Sequence, residues 1–251
     1  MEQRRLTVAG ALIALYGLGA VVYGWVFPGL SDDAMGAHVD LFYGGFTVLF
    51  LAVIAATSGW RAVGLVGRDR HPVVRWIVVL AVVDLLFLLS YFAASLLGYS
   101  GQEGAVWIIL VNLAFVAFNE EVLFRGFLWS AIDTPSPAQR ILIVSLVFGL
   151  FHLVNGFTGE SWGSALFQVV LVFLASILDG VVRYGTGSLW PTIVLHFLWD
   201  ASGVLGAGSV ADVLGPVLQF AIVVAGLVAL AVIATRRGGE GRSSAAVATR
   251  G

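Results

Sequence analysis

Long apolar stretches separated by short polar breaks set the rhythm of this chain. The apolar runs lie at roughly 6–27, 38–58, 74–97, 105–129, 140–155, 163–182, 188–205 and 210–234. A helix needs about 20 apolar residues to cross a bilayer core, with a usable range of roughly 17–25. Seven of the eight runs meet that length. The fifth is short, and its polar end, His152 and Asn155, suits a protein-lined cavity better than lipid. Lipid satisfies no exposed backbone N–H or C=O, so each run predicts a helix. A membrane β-barrel would show alternating segments of about ten residues, and these runs do not alternate. The predicted fold class is all-α, a polytopic membrane helical bundle of about eight transmembrane helices.

The first run follows Arg4 and Arg5, as a signal peptide would. It continues past Ala20 through Val21, Val22 and Trp25 with no polar cleavage region, so it reads as a retained span. Charge then orients the bundle. With eight spans and the N-terminus inside, the inner segments hold Arg4, Arg5, Arg61, Arg68, Arg70, Arg75, Arg140, Arg183, Arg236, Arg237, Arg242 and Arg250. The outer segments hold Asp32, Asp33, Asp40, Glu103, Glu160 and Asp212, and no Arg. That split follows the positive-inside rule and places both termini in the cytoplasm.

Composition agrees with the pattern. The 251 residues are 59% hydrophobic and 11% charged, with a mean hydropathy of +0.98, where a soluble domain carries about 25% charged residues. Too little polar surface exists to coat a soluble fold. The composition therefore argues against a water-soluble enzyme, a nucleic-acid binder and a disordered chain. With no cysteine there are no disulfides, iron–sulfur clusters or thiolate zinc sites. The expected setting is a multi-pass protein of the cell membrane, a prokaryotic plasma membrane, with the lipid bilayer as its first partner. The expected organisation is three N-terminal helices over 1–104, a core over 105–205, a last helix over 206–235 and a disordered cytoplasmic tail over 236–251. The loop at 59–73 is the largest inner connection, with His71-Pro72 marking the entry to the third span.

Ionisable groups inside a span are costly, about 2.5–3.5 kcal/mol for Asp, Lys or Arg at a helix centre, and they usually mark function. They concentrate in three places. On the fourth span lies Asn119-Glu120-Glu121-Val122-Leu123-Phe124-Arg125. Glu121 and Arg125 are four apart and in the favourable order for an ion pair. Glu120 points about 100° away, which leaves it free for general-base work. The bland alternative is a lone ion pair with Glu120 as a bystander. On the fifth span, Phe148 precedes His152 by one turn, and Gly149 between them allows close helix approach. On the seventh, His196 and Asp200 share a face. They read as an Asp orienting a structural His, as two polar groups aimed at one reacting oxygen, or as two ligands of one metal. Asp179 and Arg183, four apart near an inner helix end, read as a structural ion pair. Asp84 on the third span has no sequence-local partner.

Glu120-Glu121-x-x-x-Arg125, Phe148-x-x-x-His152 and His196-x-x-x-Asp200, in that order on three spans, resemble the CPBP family. These are membrane-embedded endopeptidases related to type II CAAX prenyl proteases and to bacteriocin self-immunity proteins. The resemblance runs from about Val106 to Gly203, and the segment Arg183 to Pro191 also resembles the stretch before the family's last motif. It implies a peptidase acting on a peptide or protein substrate. Glu120 and His152 would activate the attacking water, His196 and the residue at 200 would stabilise the oxyanion, and Glu121 with Arg125 would be the structural pair. Position 200 departs from the prenyl proteases, where it is commonly Asn. An amide donates a hydrogen bond and an ionised carboxylate cannot, so Asp200 would donate only if protonated, or else orient His196.

Three rival readings stand beside metal-free hydrolysis. Glu120, His152 and His196 would together suit a divalent metal such as zinc, leaving one position open for water. A catalytically inactive immunity or scaffold protein would keep the fold without the chemistry. A proton-coupled transporter would use the same buried acids and histidines, but it favours inverted repeats, which the chain does not display. The family name suggests prenylated CAAX tails as substrates, yet nothing in the chain reads a lipid.

Overall fold

The computed structural model describes residues 2–26, 40–57, 59–67, 74–101, 103–134, 136–206 and 211–248, the last without side chains beyond Thr235. Among them there is no strand, and the architecture is the expected all-α membrane bundle. Helix α1 is Glu2–Val26, α2 Leu41–Ala56 and α3 Arg75–Gly98. Helix α4 starts at Glu103–Glu121, passes into a π-helical stretch at Val122–Leu128 and closes with Trp129–Ala131. Helix α5 is Pro137–Phe151, followed by a short helical turn at Val154–Thr158. Helices α6, α7 and α8 are Trp162–Thr186, Trp190–Gly206 and Ala211–Ala248.

Six of these segments are long and apolar enough to cross a bilayer: Gln3–Val26, Arg75–Gly98, Gly104–Ala131, Pro137–Thr158, Trp162–Thr186 and Asp212–Thr235. The second and seventh runs fold as shorter helices of 16 and 17 residues. Polar punctuation sets the length of α2. The Asp40 carboxylate accepts from the N–H groups of Phe42 at 2.8 Å and Tyr43 at 3.4 Å, so the helix begins one residue later. The fifth run, short in sequence, reaches Pro137–Thr158 with a break at His152. Arg68, Arg70, His71-Pro72, Asp32 and Asp33 lie outside the described residues, as do the side chains of the 236–251 tail and of its arginines.

Capping chemistry explains the other boundaries. Ser136 accepts from the Gln139 N–H at 3.3 Å, with Pro137 opening α5, and Ser161 accepts from the Ser164 N–H at 3.1 Å to open α6. Gly187 closes α6 in the left-handed region at φ +67°, and Pro191 sits in the first turn of α7. Two glycines permit close helix packing. A Cβ on Gly149 would lie 2.9 Å from the Val169 carbonyl oxygen of α6, and one on Gly226 would lie 2.9 Å from the backbone nitrogen of Leu178. These contacts draw α5 and α8 against α6.

The connection at 59–67 is not a solvated loop. Val63 is 1% exposed, the Gly64 carbonyl accepts from the Leu189 N–H at 2.9 Å, and the Leu65 carbonyl accepts from the Trp190 indole at 3.0 Å. The segment therefore buttresses the α6–α7 turn. Asn119 is fully buried and joins α4 to α2, donating to the Tyr43 carbonyl at 2.9 Å and accepting from the Thr47 hydroxyl at 2.8 Å.

Candidate active site

The π-helical stretch of α4 begins immediately after Glu121, and all seven of its residues are buried. Such stretches are rare, and they gather at functional sites because they redirect side chains that a regular helix would space evenly. Here the stretch carries Arg125 while keeping it on Glu121. Arg125 Nη1 donates to Glu121 Oε1, both side chains being fully buried. The Arg125 guanidinium also lies 4.4 Å from the centre of the Phe148 ring and reaches the Asp179 carboxylate at 3.5 Å. The expected pair thus exists, and it is tied to α5 and α6 as well.

His196 is where the motifs meet. Its Nδ1 lies 3.0 Å from Glu121 Oε1. A carboxylate held by an arginine can only accept, so Nδ1 carries the hydrogen and donates it. On the other side of the ring, Nε2 lies 3.2 Å from Asp200 Oδ2 and 3.7 Å from Glu120 Oε2. The first distance is a close ion-pair contact. The second is beyond a direct bond and in the range where a water joins two groups. The predicted divergence of the two adjacent glutamates is therefore real: Glu121 takes one face of the imidazole and Glu120 approaches the other.

His152 comes to the same region from the end of α5. It caps that helix, its N–H bonding the Gly149 carbonyl at 3.1 Å, and its Nδ1 lies 3.0 Å from the Phe148 carbonyl oxygen. A carbonyl oxygen only accepts, so Nδ1 is again the protonated nitrogen and Nε2 keeps its lone pair. Phe148 separates the two imidazoles, its ring edge-on to His152 at 5.0 Å and to His196 at 5.9 Å between centroids.

A cavity of about 280 Å³ opens on this cluster, with His152, His196, Asp200, Asp179 and Asp84 among its lining residues. Glu120 is not a lining residue; its carboxylate meets the site through His196. Asp84, left without a role by the sequence, thus faces the cavity. Asp179 gains a partner different from the one its spacing suggested, reaching Arg125 on another helix. Arg183, fully buried, turns its Nε to the Arg125 carbonyl oxygen at 3.2 Å and lies over the Trp129 ring at 5.6 Å. Sequence reasoning also missed Gln168 and Ser176. With Val172, Ala175 and Asp179 they fall at helical spacing on one face of α6, and that face lines the cavity.

A divalent metal would need open donor atoms from Glu120, His152 and His196. His196 has both nitrogens engaged by carboxylates, and among the described residues nothing bonds His152 Nε2. Among the described residues no group of three His, Asp or Glu side chains is arranged to hold an ion. The donor set of Glu120, His152 and His196 does not fit a metal in this arrangement.

Residues 102–202 match the family described as type II CAAX prenyl endopeptidase Rce1-like. No curated protein and no solved structure matches the chain.

Proposed function

We propose that this multi-pass membrane protein, whose residues 102–202 match the type II CAAX prenyl endopeptidase Rce1-like family, is an intramembrane endopeptidase that hydrolyses a peptide bond of a membrane-associated substrate by water activated between glutamate and histidine. Glu120 takes a proton from the water. The hydroxide adds to the scissile carbonyl carbon, and the Nε2 side of His196 faces the oxygen that gains charge. The tetrahedral intermediate then expels the amine, which receives its proton by way of His152, the imidazole with an open ring nitrogen. Asp200 holds His196 Nε2 in place, and Glu121 with Arg125 fixes the opposite edge of the ring. No step runs through a metal.

The observation that supports this reading is the placement of His196. It is gripped at 3.0 Å by Glu121 and at 3.2 Å by Asp200, with Glu120 at 3.7 Å, on the wall of a cavity that His152 also lines. Preorganised donors aimed at a developing oxyanion act most strongly in a site shielded from bulk water; loss of one typically costs about 10²–10³ in rate. The setting we propose is a prokaryotic plasma membrane.

The test is cleavage of a peptide library by the purified chain in bilayers, with and without a strong chelator. Cleavage that withstands chelation and disappears in Glu120→Gln and His152→Ala is expected. Cleavage lost to chelator and restored by zinc would transfer the water to a metal. Full biological effect in both variants would instead favour an inactive immunity or scaffold protein.

A further inference from the structure

Asp84 is the acid that the hydrolytic cluster leaves unused. It stands in the middle of α3, is 8% exposed, and lines the cavity. Among the described residues no side chain or backbone group donates a hydrogen bond to it. Its neighbours around the cavity are acidic too. Asp179 and Asp200 line the same space, and Glu120 and Glu121 flank His196. The groups able to carry positive charge there are Arg125, His152 and His196. Arg125 is engaged by Glu121 and Asp179, and His196 by Glu121 and Asp200. Five carboxylates thus face three such groups, and Asp84 is the acid left without a partner.

A carboxylate removed from water without a partner is a standing cost, and an arriving cation offsets it. The same cavity offers an apolar wall, formed in part by Leu88, Leu195 and Ile222. An apolar wall ending in a carboxylate fits a side chain with a methylene stem and a charged tip. We propose that Asp84 binds the cationic end of a Lys or Arg side chain of the substrate peptide, and so sets which peptides the cavity accepts. The inference rests on reading the cavity as a peptide-cleaving site and adds the substrate class.

The experiment uses the full chain in phosphatidylcholine nanodiscs and two matched series of apolar peptides. In one series a single Lys is walked along the sequence; in the other norleucine replaces it, keeping the stem and removing the charge. Binding is measured on the Glu120→Gln chain, so that no peptide is consumed, and cleavage on the unaltered chain. At one position Lys should bind about tenfold or more tighter than norleucine, as expected for a charge-assisted hydrogen bond. Asp84→Asn should erase that preference and Asp84→Glu should keep it. Equal binding of the two series at every position overturns the proposal without any variant, which protects the test if Asp84→Asn fails to fold. A Lys preference that survives in folded Asp84→Asn overturns it as well. A Lys preference in binding, with no peptide cleaved by the unaltered chain, would end the hydrolytic reading and leave the Asp84 assignment standing. Cleavage indifferent to Lys would do the reverse.

Discussion

Glu121 and His196 lie 75 positions apart in the chain, and Glu121 Oε1 meets the ring Nδ1 at 3.0 Å. The same oxygen accepts from Arg125. One buried carboxylate therefore joins an ion pair within α4 to the imidazole of α7. It fixes a hydrogen on Nδ1 and turns Nε2 towards Asp200 and Glu120. The pair that the sequence marked as structural is thus also a positioning device for the proposed chemistry.

Removing one partner of that pair leaves the other charge buried and alone. Breaking a buried pair this way typically costs about 3–5 kcal/mol. Arg125→Ala is expected to lower the melting temperature in detergent sharply, because Glu121 is fully buried and Asp179 loses the same partner. A melting temperature equal to that of the unaltered chain would show that the pair contributes nothing to the fold.

Glu120→Gln should behave in the opposite way. Among the described residues its carboxylate makes no hydrogen bond and only approaches His196 at 3.7 Å, so the fold loses little. A general base contributes about 10²–10⁴ in rate, and cleavage should fall by that order while melting stays near the original. Retained cleavage in a folded Glu120→Gln chain would remove Glu120 from the mechanism.

Asp200 separates two roles that its sequence position left open. Its Oδ2 lies 3.2 Å from His196 Nε2. Asn keeps an oxygen there and adds a donor, so Asp200→Asn should retain cleavage within about tenfold, whereas Asp200→Ala, which leaves the imidazole untethered, should lose about 10²-fold or more. Peptide turnover by the two variants, compared at equal folded fraction, makes the distinction. Total loss in Asp200→Asn would assign the position an anionic role.

The local spacing of each motif was legible, since helical periodicity alone pairs Glu121 with Arg125 and His196 with Asp200. The convergence of three spans was legible only through the resemblance, because periodicity says which face a residue occupies and not which helix lies opposite. Asp179 shows the limit. Its i,i+4 spacing to Arg183 is a local signal, but the long Arg125 side chain reaches from α4 to within 3.5 Å of its carboxylate. The π-helical stretch at Val122–Leu128 was invisible because no residue type encodes it. The second run began before its helix for a simpler reason. Hydropathy continues back through Asp40, the residue that caps α2 and starts it at Leu41.

Gly149 offers a test of how the scaffold holds His152. An ideal Cβ at this position would stand 2.8 Å from the Phe173 Cβ and 2.9 Å from the Val169 carbonyl oxygen. Neither is the end of a flexible side chain, so a methyl group has to push α5 away from α6. His152 is carried on the same turn, its N–H bonded to the Gly149 carbonyl at 3.1 Å. Overpacking of this kind costs about 1–3 kcal/mol, and a misplacement of about 1 Å at a reacting group costs on the order of 10²-fold in rate. Gly149→Ala should therefore lower both the melting temperature and cleavage. Gly45→Ala, in α2 with nothing within 4 Å of its new methyl group, should lower neither. If the two variants melt together and cleave alike, the close approach of α5 to α6 is not what positions the histidine.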